Sequence, residues 1–461
     1  MKNRRQRSAV ANRTERKLEA PAPSQLVQIE KAIYGGAFLA RREGKAVFVP
    51  MALPGETAKV RIIEEKRGYA TAELEEVVAP VPERVLPACR HFGTCGGCQY
   101  QHTGYTTQLD LKRAILRETL ERGGLQVPAE FGMIAGSDME AWGYRNRVRL
   151  AFDAKGNPGY RSRRSNAVVP IAECPIAAPL LVRAALTFAE VARQVTPQLR
   201  AEEISLFCDA AEISLLVSVF VKSAPRGVLD ALANAMHERV SELKGMELAA
   251  LPSEQDREQT PRTLARWGQA YLIYRAAGFE YRVDHGAFFQ VNRWLVDALV
   301  DHVTTGHRGT LAWDLFAGVG LFARKLSNSF DRVIAVESAP PAIPGLETNL
   351  RGTSGLPMQA STLNFLRRKG NKERPGLLVP DLTIPDLIIV DPPRAGLGPE
   401  VTGALAEAGA PAITYVSCDP ATLTRDLRAL LASGYEIESV TLADLFPQTF
   451  HLETVVRLRR S

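Results

Sequence analysis

Apolar and polar positions alternate with a period of two in short runs near the start of the chain: 26–33 (LVQIEKAI), 45–50 (KAVFVP), 58–63 (AKVRII) and 70–78 (ATAELEEVV). Gly35-Gly36 and Pro54-Gly55 punctuate them, so the pattern predicts a small antiparallel, OB-like barrel over residues 25–82. Residues 1–24 mix Arg, Lys, Ala and Pro without apolar periodicity and predict a flexible basic tail. From 83 to about 275 the pattern changes to strands such as NRVRLAFD and EISLLVSVFV, separated by helical stretches such as PLLVRAALTFAEVARQV, which predicts an α+β central section. Residues 276–461 alternate strand, turn, helix and strand (TLAWDLFAGVGLFARKL, RVIAVES, LIIVDPP, AITYVSC), the signature of a doubly wound α/β sheet. A multi-domain chain follows, and 461 residues suit two or three hydrophobic cores better than one.

Composition changes this picture little. No apolar run approaches the roughly 18 residues a membrane span needs, and MKNRRQRSAVANRTERK lacks the apolar segment of a secretory signal, so the expected compartment is the cytoplasm and no membrane partner is expected. The net charge of +6 and pI near 9.0 suit a polyanionic partner without requiring one.

The chemistry concentrates at strand ends. Asp314-Leu-Phe-Ala-Gly318-Val-Gly320 follows an apolar strand and opens a helix, where glycines let a ligand approach the backbone. Glu337 ends the next strand, placed to accept hydrogen bonds from ribose hydroxyls. NAD and S-adenosylmethionine both fit this turn, although Phe322 and Ala323 stand where a third glycine would make a pyrophosphate turn. Asp391-Pro-Pro-Arg394 and Ser417-Cys418-Asp419-Pro420 each follow an apolar strand, at the edge where open α/β sheets bind ligands. Cys418 is there a candidate nucleophile and Glu453, in TFHLETVVRL, a candidate base.

Six cysteines are present, and Cys89, Cys95 and Cys98 crowd into CRHFGTCGGCQYQH. The spacing predicts a metal centre with Cys174 as fourth ligand, equally compatible with zinc or a [4Fe-4S] cluster. His91 and His102 are weaker candidates.

Taken together, GKAVFVPMALPGE, the cysteine segment with Cys174, FFQVN at 288–292, DLFAGVGLF, VDPPR, SCDP and HLE resemble the RNA uracil C5 methyltransferases, particularly the 23S ribosomal RNA members with a TRAM barrel and an iron-sulfur cluster. The resemblance runs from about Leu26 to the end. It implies a C-terminal class I methyltransferase domain and a [4Fe-4S] cluster held by Cys89, Cys95, Cys98 and Cys174. It also implies S-adenosylmethionine contacts from Gln290, Phe316, Glu337 and Asp391, a nucleophile at Cys418 and a base at Glu453. Leu321 departs from members that carry Asn after the second glycine of the turn, which removes a side-chain bond to the cofactor's carboxylate.

The residue types suit that reaction. Carbon 5 of uracil is a poor nucleophile, and thiolate addition to carbon 6 makes it enolate-like. A base must later remove the carbon 5 proton, and the target must be unstacked, which implies single-stranded or locally opened RNA. The expected partner is RNA, with 23S rRNA preferred and a monomer sufficient. The same reaction on a tRNA uridine, or a non-catalytic RNA-binding assembly factor, remains open; a DNA cytosine methyltransferase has no use for the barrel or the cysteine segment.

Overall fold

The computed structural model describes residues 24–460 except 224, 226, 253–260 and 369–383. The basic tail expected over residues 1–24 lies outside the described residues apart from Ser24. The described residues divide into two compact units, one of residues 24–31 and 37–81, the other of residues 32–36 and 82–460.

The first unit is built on a closed barrel of β1 (Gln25–Ile33), β2 (Ala37–Arg42), β3 (Lys45–Pro50), β4 (Thr57–Glu65) and β5 (Tyr69–Ala79), in the order β1-β2-β3-β5-β4. The alternation of the sequence becomes alternation of burial, with Val27, Ile29, Val47, Val49, Ala58 and Val60 inside. At its Pro54-Gly55 corner, the Glu56 carboxylate accepts the Leu53 N–H at 2.7 Å, which accounts for a buried acid in so small a core.

The second unit contains two large sheets. Its first elements are α1 (Tyr105–Arg122) and the short β6 (Gly132–Ile134). A seven-stranded sheet then comprises β7 (Arg147–Phe152), β8 (Pro158–Arg161), β9 (Val168–Pro170), β10 (Ala201–Cys208), β11 (Leu215–Val221), β12 (Leu243–Ala250) and β13 (Arg262–Gly268). Helices α2 (Pro179–Val195) and α3 (Val228–Arg239) pack their apolar stripes, including Leu181, Phe188, Leu232 and Met236, on this sheet. A hairpin, β14 (Tyr271–Ala276) and β15 (Phe279–Asp284), adds Leu272, Tyr274, Tyr281 and Val283 to the core of the following sheet.

That second sheet has eight strands in the order β18-β17-β16-β19-β20-β22-β21-β6. Its elements run α4 (Val296–Thr304), β16 (Gly309–Leu315), α5 (Leu321–Leu326), β17 (Phe330–Glu337), α6 (Ile343–Leu350), β18 (Gly355–Gln359), α7 (Thr362–Arg368), β19 (Leu387–Val390), α8 (Gly398–Ala408), β20 (Ala412–Ser417), α9 (Pro420–Ala432), β21 (Tyr435–Ala443) and β22 (Glu453–Arg460). Strands β16 to β20 are parallel, with buried interiors that are mostly apolar, and β22 enters antiparallel. The order reverses at β16, between β17 and β19, which opens a crevice at the carboxyl ends of the strands.

Residues 132–134, within the stretch assigned from sequence to the central section, pair with β21 at the edge of this C-terminal sheet. Only β21 specifies so short a strand, because it carries no periodicity of its own. Among the described residues no helix is long and apolar enough to cross a membrane.

Candidate active site

The turn after β16 is shaped by backbone conformation. Phe316, Gly318 and Gly320 have φ of 66°, 56° and 88°. A left-handed non-glycine residue such as Phe316 is uncommon and concentrates at functional sites. Gly320 also needs its missing side chain, since a Cβ there would stand 3.0 Å from Leu346. Glu337, at the end of β17, reaches across this turn: its Oε2 accepts the Gly318 N–H at 2.8 Å, while Oε1 accepts those of Ser338 and Ala339 at 2.6 Å. Those bonds fix the carboxylate at the crevice and leave lone pairs for ribose hydroxyls.

Two further carboxyls stand close by. Asp314 Oδ2 accepts the Ala323 N–H at 2.8 Å, whereas its buried Oδ1 has no hydrogen-bond partner among the described residues. Burial lifts its pKa to about 7, with Asp391 and Glu337 adding to the rise. Burial likewise lifts Asp391 to about 7, reinforced by Glu337, and Gln290 Nε2 donates to Asp391 Oδ2 at 3.4 Å. Buried carboxyls held together at such cost suit a cationic or hydrogen-bond-donating ligand. The acceptors of Glu337 and Asp391, with the Gln290 amide beside Asp391, are groups that S-adenosylmethionine would fit. Leu321 lies buried in the core, 7% exposed, where it offers a ligand nothing polar.

Cys418 follows β20 and Glu453 opens β22. The Ser417↔Thr454 pair in that antiparallel ladder sets Cys418 opposite Glu453. Burial pushes the Cys418 thiol up to about 12, and Glu453 and Asp391 push in the same direction, while Arg394 opposes them. Burial raises Glu453 well above the carboxylate range, with Asp391 adding and Arg394 opposing. The Asp419 side chain caps α9 by accepting the Ala421 and Thr422 N–H groups at 3.0 and 2.9 Å, which fixes the strand-to-helix turn that carries the thiol. Tyr34, in the Ala32–Gly36 segment grouped with this unit, donates to Asp419 Oδ2 at 3.2 Å.

Sequence reasoning assigned no role to Arg394 or His451. Arg394 Nη2 lies 3.2 Å from His451 Nδ1, and burial together with Arg394 lowers His451 to about 4, so the imidazole is neutral and accepts from the guanidinium. The VDPPR and HLE motifs contain both residues, but their mutual contact is set by tertiary structure.

The cysteine expectation gathers in space. Cys89, Cys95, Cys98 and Cys174 are unpaired thiols that line one small cavity with Phe92, Arg145 and Tyr160. His91 also lines it, whereas His102 is buried and packs against Phe92. Burial raises the Cys98 thiol to about 12, and it is the leading cause of the rises at Cys89 and Cys95. Among the described residues no group of three or more His, Cys, Asp or Glu side chains is arranged to hold a metal ion.

Known proteins share both sequence and fold. Residues 270–461 match the family described as tRNA (Uracil-5-)-methyltransferase, and residues 24–74 match the TRAM domain. A Streptomyces avermitilis protein described as an uncharacterized RNA methyltransferase is 33% identical over 94% of this chain and 97% of its own. A 23S rRNA (uracil-C(5))-methyltransferase of Chromohalobacter salexigens is 32% identical over 94% of this chain and 89% of its own. The crystal structure of Pyrococcus abyssi tRNA (uracil-54, C5)-methyltransferase in complex with S-adenosyl-L-homocysteine superposes with a TM-score of 0.73, covering 94% of this chain and 99% of that one at 24% identity, which establishes the shared fold. The chain therefore belongs to the RNA uracil-C5 methyltransferases, with a TRAM barrel before an S-adenosylmethionine-dependent catalytic domain.

Proposed function

We propose that this enzyme methylates carbon 5 of a uridine in 23S rRNA through a covalent bond between Cys418 and carbon 6. The observation that carries the reading is the approach of Cys418 and Glu453 from adjacent antiparallel strands, beside Asp391 and Arg394. S-adenosylmethionine supplies an electrophilic methyl group when bound, and Gln290, Phe316, Glu337 and Asp391 would hold it. The Cys418 thiolate adds to carbon 6, and the electron pair of the C5–C6 double bond becomes available at carbon 5 for methyl transfer. The Glu453 carboxylate then takes the carbon 5 proton, the double bond re-forms and the S–C6 bond breaks. Arg394 is the cation that favours the charged forms of both Cys418 and Glu453. A ribosomal rather than a transfer RNA target is supported by relatives at 30–32% identity named for 23S rRNA, and such a substrate sets the enzyme in the cytoplasm.

We assign the cavity of Cys89, Cys95, Cys98 and Cys174 to a [4Fe-4S] cluster, since an all-thiol donor set suits iron-sulfur ligation. The domain reading that accompanies this proposal keeps the barrel over 25–82, the cluster-bearing section over 83–275 and the methyltransferase domain over 276–461.

RNA containing 5-fluorouridine tests the covalent route, because fluorine at carbon 5 cannot leave as a proton does. The wild-type protein should form an RNA complex stable to denaturing electrophoresis and Cys418→Ala should form none. Normal methylation of uridine by Cys418→Ala would overturn the role of the thiol.

A further inference from the structure

The segment that precedes Glu453 is built as a clamp. Residues 444–452 form a closed loop whose ends meet at the Ala443↔Glu453 pair of β21 and β22. Helix α1 and its surroundings hold its first half. The fully buried Lys112 Nζ donates to Asp444 Oδ1 at 2.5 Å and to the Phe446 carbonyl at 2.9 Å. Asn292 Nδ2 donates to the Leu445 carbonyl at 3.2 Å, and the Tyr144 hydroxyl donates to that of Pro447 at 3.0 Å.

The centre of the loop is Gln448, 2% exposed and left-handed at φ 67°. Such a backbone persists only where its surroundings over-determine it. Its carbonyl accepts both the Gln99 and Tyr100 N–H groups at 3.0 Å. Its own N–H donates to Gln108 Oε1 at 2.9 Å, and Gln108 Nε2 donates back to Gln448 Oε1 at 2.9 Å. The same Nε2 donates to the Tyr100 and Thr103 carbonyls at 3.2 and 3.0 Å. Gln99 Oε1 accepts the Phe450 N–H at 3.4 Å. Gln99 directly follows Cys98, so the thiol-bearing segment and the loop that delivers Glu453 share one buried hydrogen-bond network.

We propose that Gln448, clamped by Gln108 and by the Gln99–Tyr100 backbone, is a positioning residue for the Glu453 carboxyl, which makes Gln99, Tyr100 and Gln108 the anchor of the base. The inference rests on the reading of Glu453 as base. Proton removal tolerates little displacement of its acceptor, whereas Cys418 lies in the turn between β20 and α9, outside the clamp. Loosening the clamp therefore slows departure of the carbon 5 proton more than it slows thiolate addition and methyl transfer, and the C5-methylated covalent adduct builds up.

Gln448→Met and Gln108→Met remove the amides with little change in size. With uridine RNA and labelled S-adenosylmethionine, denaturing electrophoresis reads the adduct while nucleoside analysis reads released 5-methyluridine. Both variants should raise the ratio of adduct to product by about tenfold or more over wild type, as should the control Glu453→Gln. If Glu453→Gln shows no excess adduct, the base reading itself fails. If that control accumulates adduct while both Met variants keep the wild-type ratio, or lose adduct and product in parallel as a misfolded protein would, the positioning role is overturned.

Discussion

Cys418 stands opposite Glu453 because Ser417 pairs with Thr454 one step earlier in the antiparallel ladder of β20 and β22. An otherwise parallel sheet thus uses an antiparallel strand to bring a thiol and a carboxyl face to face at its carboxyl edge. Glu453 adds to the burial that raises the Cys418 thiol, while burial and Asp391 displace Glu453 itself upward.

The thiol of the ligand-free protein should accordingly be slow to alkylate. With Cys418 near 12, its modification by iodoacetamide, followed by peptide mass spectrometry, should accelerate about tenfold per pH unit between pH 7 and 9. Glu453→Gln and Asp391→Asn, which each remove a raising charge, should react faster than wild type at a given pH, and Arg394→Met more slowly. Equal rates in all four proteins would contradict the electrostatic coupling.

Asp314 gives a stability signature. Its carboxyl titrates near 3.8 when unfolded and near 7 when folded, so between those values the folded chain holds the extra proton. The stability owed to that proton is complete below about pH 4 and is lost as the pH rises through 7; Asp391 shifts in the same direction. Asp314→Asn lacks this loss, so its melting temperature should gain on the wild type by a few °C between pH 4 and pH 7.5. Melting curves that stay parallel across that range would remove the buried charge from the account.

Leu321 is a core residue at a position where some family members carry Asn. Leu321→Asn should destabilise the protein by about 1–3 kcal/mol, through a buried amide without partners. It should not tighten S-adenosylmethionine binding. Calorimetric binding together with thermal unfolding separates the two effects, and a gain in affinity without loss of stability would show that the side chain reaches the ligand.

The cysteine cavity predicts its contents. Protein purified without oxygen should carry about four iron and four labile sulfide per chain, and Cys98→Ser should lose the associated visible absorption. One zinc per chain with no sulfide would favour the other all-thiol centre.

Much of the site could be read from the chain because each motif ends a strand. The glycine turn after β16, Asp391 after β19 and Cys418 after β20 all follow apolar runs, and parallel strand order delivers such ends to one edge. What escaped reading depends on contacts between distant positions. Gln108 and Gln448 are 340 residues apart and neither sits in a recognisable motif. The Arg394–His451 contact joins two motifs whose relative placement only the folded sheet decides, and β6 is a strand only because β21 offers it an edge.

The central claim is most directly tested by mapping 5-methyluridine after incubating the anaerobically purified protein with labelled S-adenosylmethionine and, separately, unmodified ribosomal RNA and tRNA. The account predicts label at carbon 5 of a uridine in 23S rRNA, abolished in Cys418→Ala. Label confined to tRNA would contradict the assigned substrate, and absence of label on both RNAs would contradict catalysis by this site.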